Sequence, residues 1–192
     1  MNEYSKETSF WHLLKEKRIV IPIIQRDYAQ GRIGKEYLRQ RFLEQLLCAL
    51  KTDTPESKLV LDFVYGSTEG NILYPLDGQQ RLTTLWLLHW YLALRAGALD
   101  EDGQTLRNFS YETRTSSRIF CDNLCKIKAS YKPETDDVVS FIRNQRWYYS
   151  SYDQDPTIQS MLCMLGGSGM EGKSDGIEKM FSFGEDFGNY LD

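Results

Sequence analysis

The stretch NILYPLDGQQRLTTLWLLHWYLALR, Asn71 to Arg95, sets the architecture. Asn71–Tyr74 reads as a short strand, and Pro75–Gly78 as a turn, since proline has no N–H to give a ladder and glycine takes backbone angles other residues avoid. Gln79–Arg95 then reads as a helix, apolar nearly all round, which predicts a central helix buried on most sides. Upstream, Leu59–Tyr65 (LVLDFVY) is the strongest strand candidate and Gly66–Gly70 a turn, so that residues 59–74 resemble a hairpin. Arg18–Ile21 reads as a buried strand stopped by Pro22, and the mixed segment IIQRDYAQGR after it ends in a loop at Gly31 and Gly34. Residues 35–51 carry Leu38, Phe42, Leu46 and Leu50 on one helical stripe, and residues 5–17 form a short helix capped by Ser5 or Thr8.

Downstream the pattern changes. Residues 100–110 are polar, Arg114–Lys128 and Val138–Arg146 read as helices around a linker at Lys132–Asp137, and Asp155-Pro156-Thr157 starts another helix. The expected fold is α+β: a small mixed sheet with helices over residues 1–97, then a helical extension over 98–165. Residues 166–192 hold seven glycines, and glycine raises the entropy cost of ordering, so they read as a mobile acidic tail with few tertiary contacts, or as a segment deprived of its packing partner.

Composition narrows the function. The 192 residues carry 23 Lys+Arg and 27 Asp+Glu, for a net charge of −4. From Gly166 onward there are two basic and six acidic residues, which leaves residues 1–165 with 21 of each sign. Neutrality argues against a broad non-specific nucleic-acid surface but not against a local basic pocket. The opening MNEYSKETSF lacks the basic start and apolar core of a secretory signal, and no apolar run is long enough for a membrane span. Cys48, Cys121, Cys125 and Cys163 read as reduced, mostly buried thiols of a cytoplasmic protein. With His12 and His89 they form no zinc-ligand spacing.

Two polar segments can carry chemistry. Asp77-Gly78-Gln79-Gln80-Arg81-Leu82-Thr83-Thr84 lies between a strand and a helix, where unpaired N–H groups and the positive end of the helix dipole favour an anion. Gly78 permits close approach, Arg81 can fork onto phosphate oxygens, and Gln79, Gln80, Thr83 and Thr84 add polar groups. Asp77 can cap the helix or hold Mg2+. The second segment, Gln25-Arg26-Asp27-Tyr28, follows a strand end, where ligands gather in α/β folds. Each segment also has a plain structural reading: ordinary helix capping for the first, a surface loop with an Arg–Asp pair for the second. Tyr65-Gly66-Ser67 reads as a hairpin turn. Asp62, within an apolar strand, needs a partner, which Arg26 or Arg81 would supply. Arg114, Arg118, Arg143 and Arg146 read as solvated helix faces, and Trp147, Tyr148, Tyr149 and Tyr152 as packing aromatics with base stacking as the alternative.

Together, Ile21-Pro22-Ile23-Ile24-Gln25-Arg26-Asp27-Tyr28 and Asp77-Gly78-Gln79-Gln80-Arg81-Leu82-Thr83-Thr84 resemble the N-terminal domain of GmrSD-type restriction endonucleases, a family related to the ParB/sulfiredoxin fold. The resemblance extends to Trp147 and Asp155–Ile158. It implies a nucleotide-binding domain that hydrolyses GTP or another NTP with Mg2+ and gates cleavage of phage DNA, often DNA with modified bases. On this carry-over Gln25, Arg26, Tyr28, Gly78, Gln79, Gln80, Arg81, Thr83 and Thr84 surround the nucleotide. Asp77 holds the metal, and Gln25 or Gln80 positions water. The chain shows no HNH-like His/Asn cluster, so cleavage would fall to an HNH-type nuclease domain elsewhere. The alternatives are a ParB-like DNA-binding module without hydrolysis, or an inactive truncated remnant.

Overall fold

The computed structural model describes residues 7–22, 27–51, 59–167 and 176–182. Eight helices and a four-stranded mixed sheet occur among them, so the fold is α+β as expected. The chain runs α1 (Phe10–Glu16), β1 (Arg18–Ile21), α2 (Glu36–Lys51), β2 (Gly66–Glu69), β3 (Ile72–Pro75), α3 (Gln79–Arg95) and α4 (Leu99–Leu106). It continues through β4 (Phe109–Tyr111), α5 (Thr115–Leu124), α6 (Val138–Arg143), a 3-10 turn at Ser150–Gln154, α7 (Pro156–Gly166) and α8 (Ile177–Met180).

The sheet order is β2-β3-β1-β4. β1 lies between β3 and β4 and is parallel to both, while β2 and β3 form an antiparallel hairpin. Ile19, Val20 and Ile21 are all buried, as a central strand requires. The carboxyl ends of β1, β3 and β4 therefore open on one edge, from which the segments after Ile21, Pro75 and Tyr111 leave.

α3 is the central helix with the bounds expected of it. Its contacts reach α4, α7 and α8. Trp86 and Trp90 are fully buried, and each places its indole N–H on a carbonyl: Leu106 O at 2.9 Å and Leu124 O at 3.0 Å. Large aromatics enter a core at low cost only when that donor is satisfied.

Several expectations need correction. Leu59–Tyr65 is not a strand: Val60, Phe63 and Tyr65 are exposed, and the hairpin uses the polar Gly66–Glu69 instead, turning at Gly70 with φ +58°. Register explains the choice, because pairing Ser67 with Tyr74 and Glu69 with Ile72 lets the chain reverse through Gly70 and Asn71 alone. Residues 100–110 are not a polar connection but the helix α4 and the buried strand β4, whose Phe109 and Tyr111 carry the apolar signal. The buried face of α2 is Arg39, Leu43 and Leu46, one position round from the leucine stripe, with Leu38 exposed. Ser9, not Ser5 or Thr8, caps α1, accepting from His12 N.

Within the glycine-rich segment, residues 176–182 depart from its reading. Ile177 and Phe181 are fully buried in the common core, and α8 touches α2, α3 and α7. Its Glu178 Oε1 accepts from Tyr131 Oη at 2.6 Å and Val138 N at 2.7 Å. Burial raises this carboxyl above its ordinary value of 4.5 against the pull of those two donors. A raised folded-state pKa means that the contribution to stability is complete below the unfolded value and is lost as pH rises through the folded one. Glu178→Gln, which keeps the accepting oxygen without the charge, is accordingly expected to raise the melting temperature at pH 7. The gain should vanish below about pH 4, and thermal unfolding at the two pH values checks it.

Candidate functional site

The two polar segments meet at the carboxyl edge of the sheet. β3 ends at Pro75, and the chain turns through Leu76 and Asp77, whose N–H groups donate to Tyr65 O at 2.8 and 3.2 Å. Gly78 sits at the N-cap of α3 with φ +83°, a conformation that favours glycine, and it offers no side-chain cap. A methyl group there would stand 2.7 Å from Val64 Cγ2. The first N–H groups of α3 have no intrahelical acceptor, so this end is electropositive.

The polar side chains of the turn divide into two sets. One faces inward. Gln79 is buried and donates to Pro75 O. Gln80 Oε1 accepts from Ala29 N at 2.8 Å and Gln30 N at 3.2 Å, and its Nε2 donates to Asp27 O at 3.2 Å. Thr84 Oγ1 shares a 2.8 Å hydrogen bond with Tyr28 Oη and donates to Gln30 Oε1 at 2.8 Å. Thr83 bonds to the Tyr111 hydroxyl at 3.1 Å. Burial pushes the Tyr28 and Tyr111 hydroxyls above their ordinary value, so both stay neutral donors. These bonds fasten the segment after β1 onto the first turns of α3. Tyr28→Phe is expected to lower stability by about 1 kcal/mol, the worth of one buried hydrogen bond, since Thr84 keeps its bond to Gln30; urea titration measures it.

The other set faces outward and is small. Arg81 Nη2 donates to Phe63 O at 2.9 Å, with Asp62 at 3.7 Å and Asp77 at 3.6 Å flanking the guanidinium. Asp62 thus has the partner Arg81, but it is highly exposed, not buried in a strand. Asp77 is also largely exposed. Gln25 and Arg26 lie outside the described residues.

Three contributors were not legible beforehand. Arg39 is fully buried and donates to Gly31 O at 2.9 Å, holding the loop that Gln80 also grips. Gly31 rests on α7 so closely that a methyl group would fall 1.8 Å from Ser160 O. Arg114, read as a solvated residue, pairs with Asp27 and donates to Thr157 Oγ1 at 3.2 Å. Asp27 also takes Arg32 at 2.8 Å.

Elsewhere the aromatic group packs: Tyr152 is buried edge-on against Phe120, Tyr148 and Tyr149. Cys121 and Cys125 are buried, their thiols pushed up by burial, Cys125 to about 12. Among the described residues no three His, Cys, Asp or Glu side chains cluster as metal ligands. No described helix is long and apolar enough to cross a membrane.

No curated protein and no solved structure matches the chain. The profile of the family described as GmrSD restriction endonuclease, N-terminal domain, matches residues 10–166, from the start of α1 to the end of α7. That span holds the whole sheet, both polar segments and the bonds between them, and the chain belongs to this family of restriction-system domains.

Proposed function

We propose that this domain binds, and together with a nuclease partner hydrolyses, GTP or another NTP at the mouth of α3, regulating an HNH-type nuclease that acts on DNA. The observation that carries the reading is the bonding of the Tyr28 segment to Gln80 and Thr84. It sets Tyr28, Ala29 and Gln30, which follow Gln25 and Arg26 in the sequence, beside a helix N-terminus that has no side-chain cap at Gly78 and carries Arg81 in its first turn. Phosphate oxygens would meet the N–H groups of the first turn and the guanidinium.

Charge balance adds a requirement. One arginine stands between two carboxylates, Asp62 and Asp77, so a polyphosphate alone would be repelled. Exposed carboxylate oxygens suit Mg2+, which is held by one or two carboxylates together with substrate phosphates. Asp77 would hold it. When bound, Mg2+ supplies neutralisation of phosphoryl charge. The chain's own part is to orient: Arg81 fixes the phosphates, and Gln25 is left to place the attacking water because the Gln80 amide is occupied.

Arg81→Ala is expected to weaken nucleotide binding by about 1.5–3 kcal/mol, the worth of a charge-assisted hydrogen bond, and EDTA is expected to abolish binding. Calorimetry with GTP, ATP and CTP in Mg2+ tests both. No heat with any nucleotide, or equal affinity in the two proteins, would exclude the site.

A further inference from the structure

The opposite edge of the sheet carries a polar concavity. Its volume is about 480 Å³, and it opens where β1 and β4 begin, between the end of α4 and the outer face of α5. Arg18, Arg107 and Arg118 line it, with Gln104, Asn108 and Asp122. Asp122 is committed: it takes Arg107 Nε at 2.8 Å and also pairs with Lys126. These two cations hold the Asp122 carboxyl below its ordinary value although partial burial opposes them, so it remains charged.

Arg107 is thereby oriented through Nε. Among the described residues its two terminal nitrogens have no partner, and neither has the Arg18 side chain. Arg118 makes one long bond, to Glu112 O at 3.5 Å. The lining holds three guanidinium groups against one carboxylate, in a body whose first 165 residues are neutral overall. Such a local excess is not a by-product of composition. Guanidinium groups match phosphate oxygens in a two-pronged geometry. The concavity offers no stacking surface, since the Phe109 ring is turned into the core against Trp86. It would therefore recognise phosphates and not bases.

We infer that this groove is a second anion site, separate from the mouth of α3, which takes closely spaced phosphate groups. Two sources present that chemistry, a nucleic-acid backbone and a free polyphosphate. The test uses the full chain carrying Arg81→Ala, so that the α3 site does not contribute, without Mg2+. Binding of a fluorescein-labelled DNA duplex is followed by anisotropy and of inorganic tripolyphosphate by calorimetry, with and without Arg118→Glu. Arg118 is exposed and weakly bonded, so its reversal should leave the circular dichroism and melting temperature unchanged. Arg18→Glu serves as an independent second variant.

At least one ligand is expected to bind and to lose about tenfold or more in affinity in each variant, with Arg118→Lys restoring part of the loss. If the duplex is the ligand, the slope of log affinity against log salt becomes shallower by about one per arginine removed. Duplex binding alone assigns a strand backbone, and tripolyphosphate binding alone a free polyphosphate. Binding of neither, or equal binding by parent and variants, overturns the site. Because Arg81 is already absent, failure here leaves the α3 proposal intact.

Discussion

Phe181→Ala is expected to destabilise the chain by about 3–5 kcal/mol, the range for deleting a buried aromatic side chain. That would lower the melting temperature by roughly 6–20 °C for a domain of this size. Phe181 is fully buried beside Ile177 and Met180, and its carbonyl, with that of Ser182 at 2.9 Å, accepts from the Arg95 guanidinium at the end of α3. The substitution removes ring contacts in the core and leaves the carbonyl bonds in place, so the loss reports packing. Urea and thermal unfolding measure it, and an unchanged midpoint would mean that residues 176–182 do not dock in solution.

Gln80→Ala should cost about 2–4 kcal/mol, since it strips acceptors from two N–H groups and a donor from Asp27 O at partly buried positions. Nucleotide binding should fall with it, although Arg81 is untouched. The diagnostic is coupling. Combined with Tyr28→Phe, the loss should be less than additive by about 0.5 kcal/mol or more, because both residues hold one loop to one helix. Strict additivity would show that the two contacts act independently, and retained nucleotide affinity in Gln80→Ala would separate the clamp from the site.

Sequence periodicity identified α3 with its full bounds because a long apolar run between a turn and Gly97 has few other readings. It failed where two physical causes share one signature. An apolar stretch such as Leu59–Tyr65 has strand propensity, but it lies exposed against the α3 turn, giving up the carbonyls of Phe63 and Tyr65. Glycine density after α7 reads as entropy. Yet a methyl group on Gly176 would fall 2.2 Å from Gly167 N, so that glycine lets two backbones touch and α8 dock. At the candidate site the meeting of the two polar segments followed from their positions after strand ends. The direction each side chain takes did not, since a polar residue that fastens two backbones and one that faces a ligand have the same composition. Arg39 shows this most plainly, an arginine in the core of a helix face that reads as leucine.

The central position of β1 has a consequence for synthesis of the protein. Ile19, Val20 and Ile21 leave the ribosome well before their partners, Leu73 on one side and Phe109 to Tyr111 on the other. During that interval the growing polypeptide carries an apolar strand with both edges open, the kind of segment that pairs with other chains when left uncovered. The nascent chain should therefore depend on a holding chaperone until β4 has emerged, and translation pauses between β1 and β4 should lower the yield of folded protein more than pauses placed after α5.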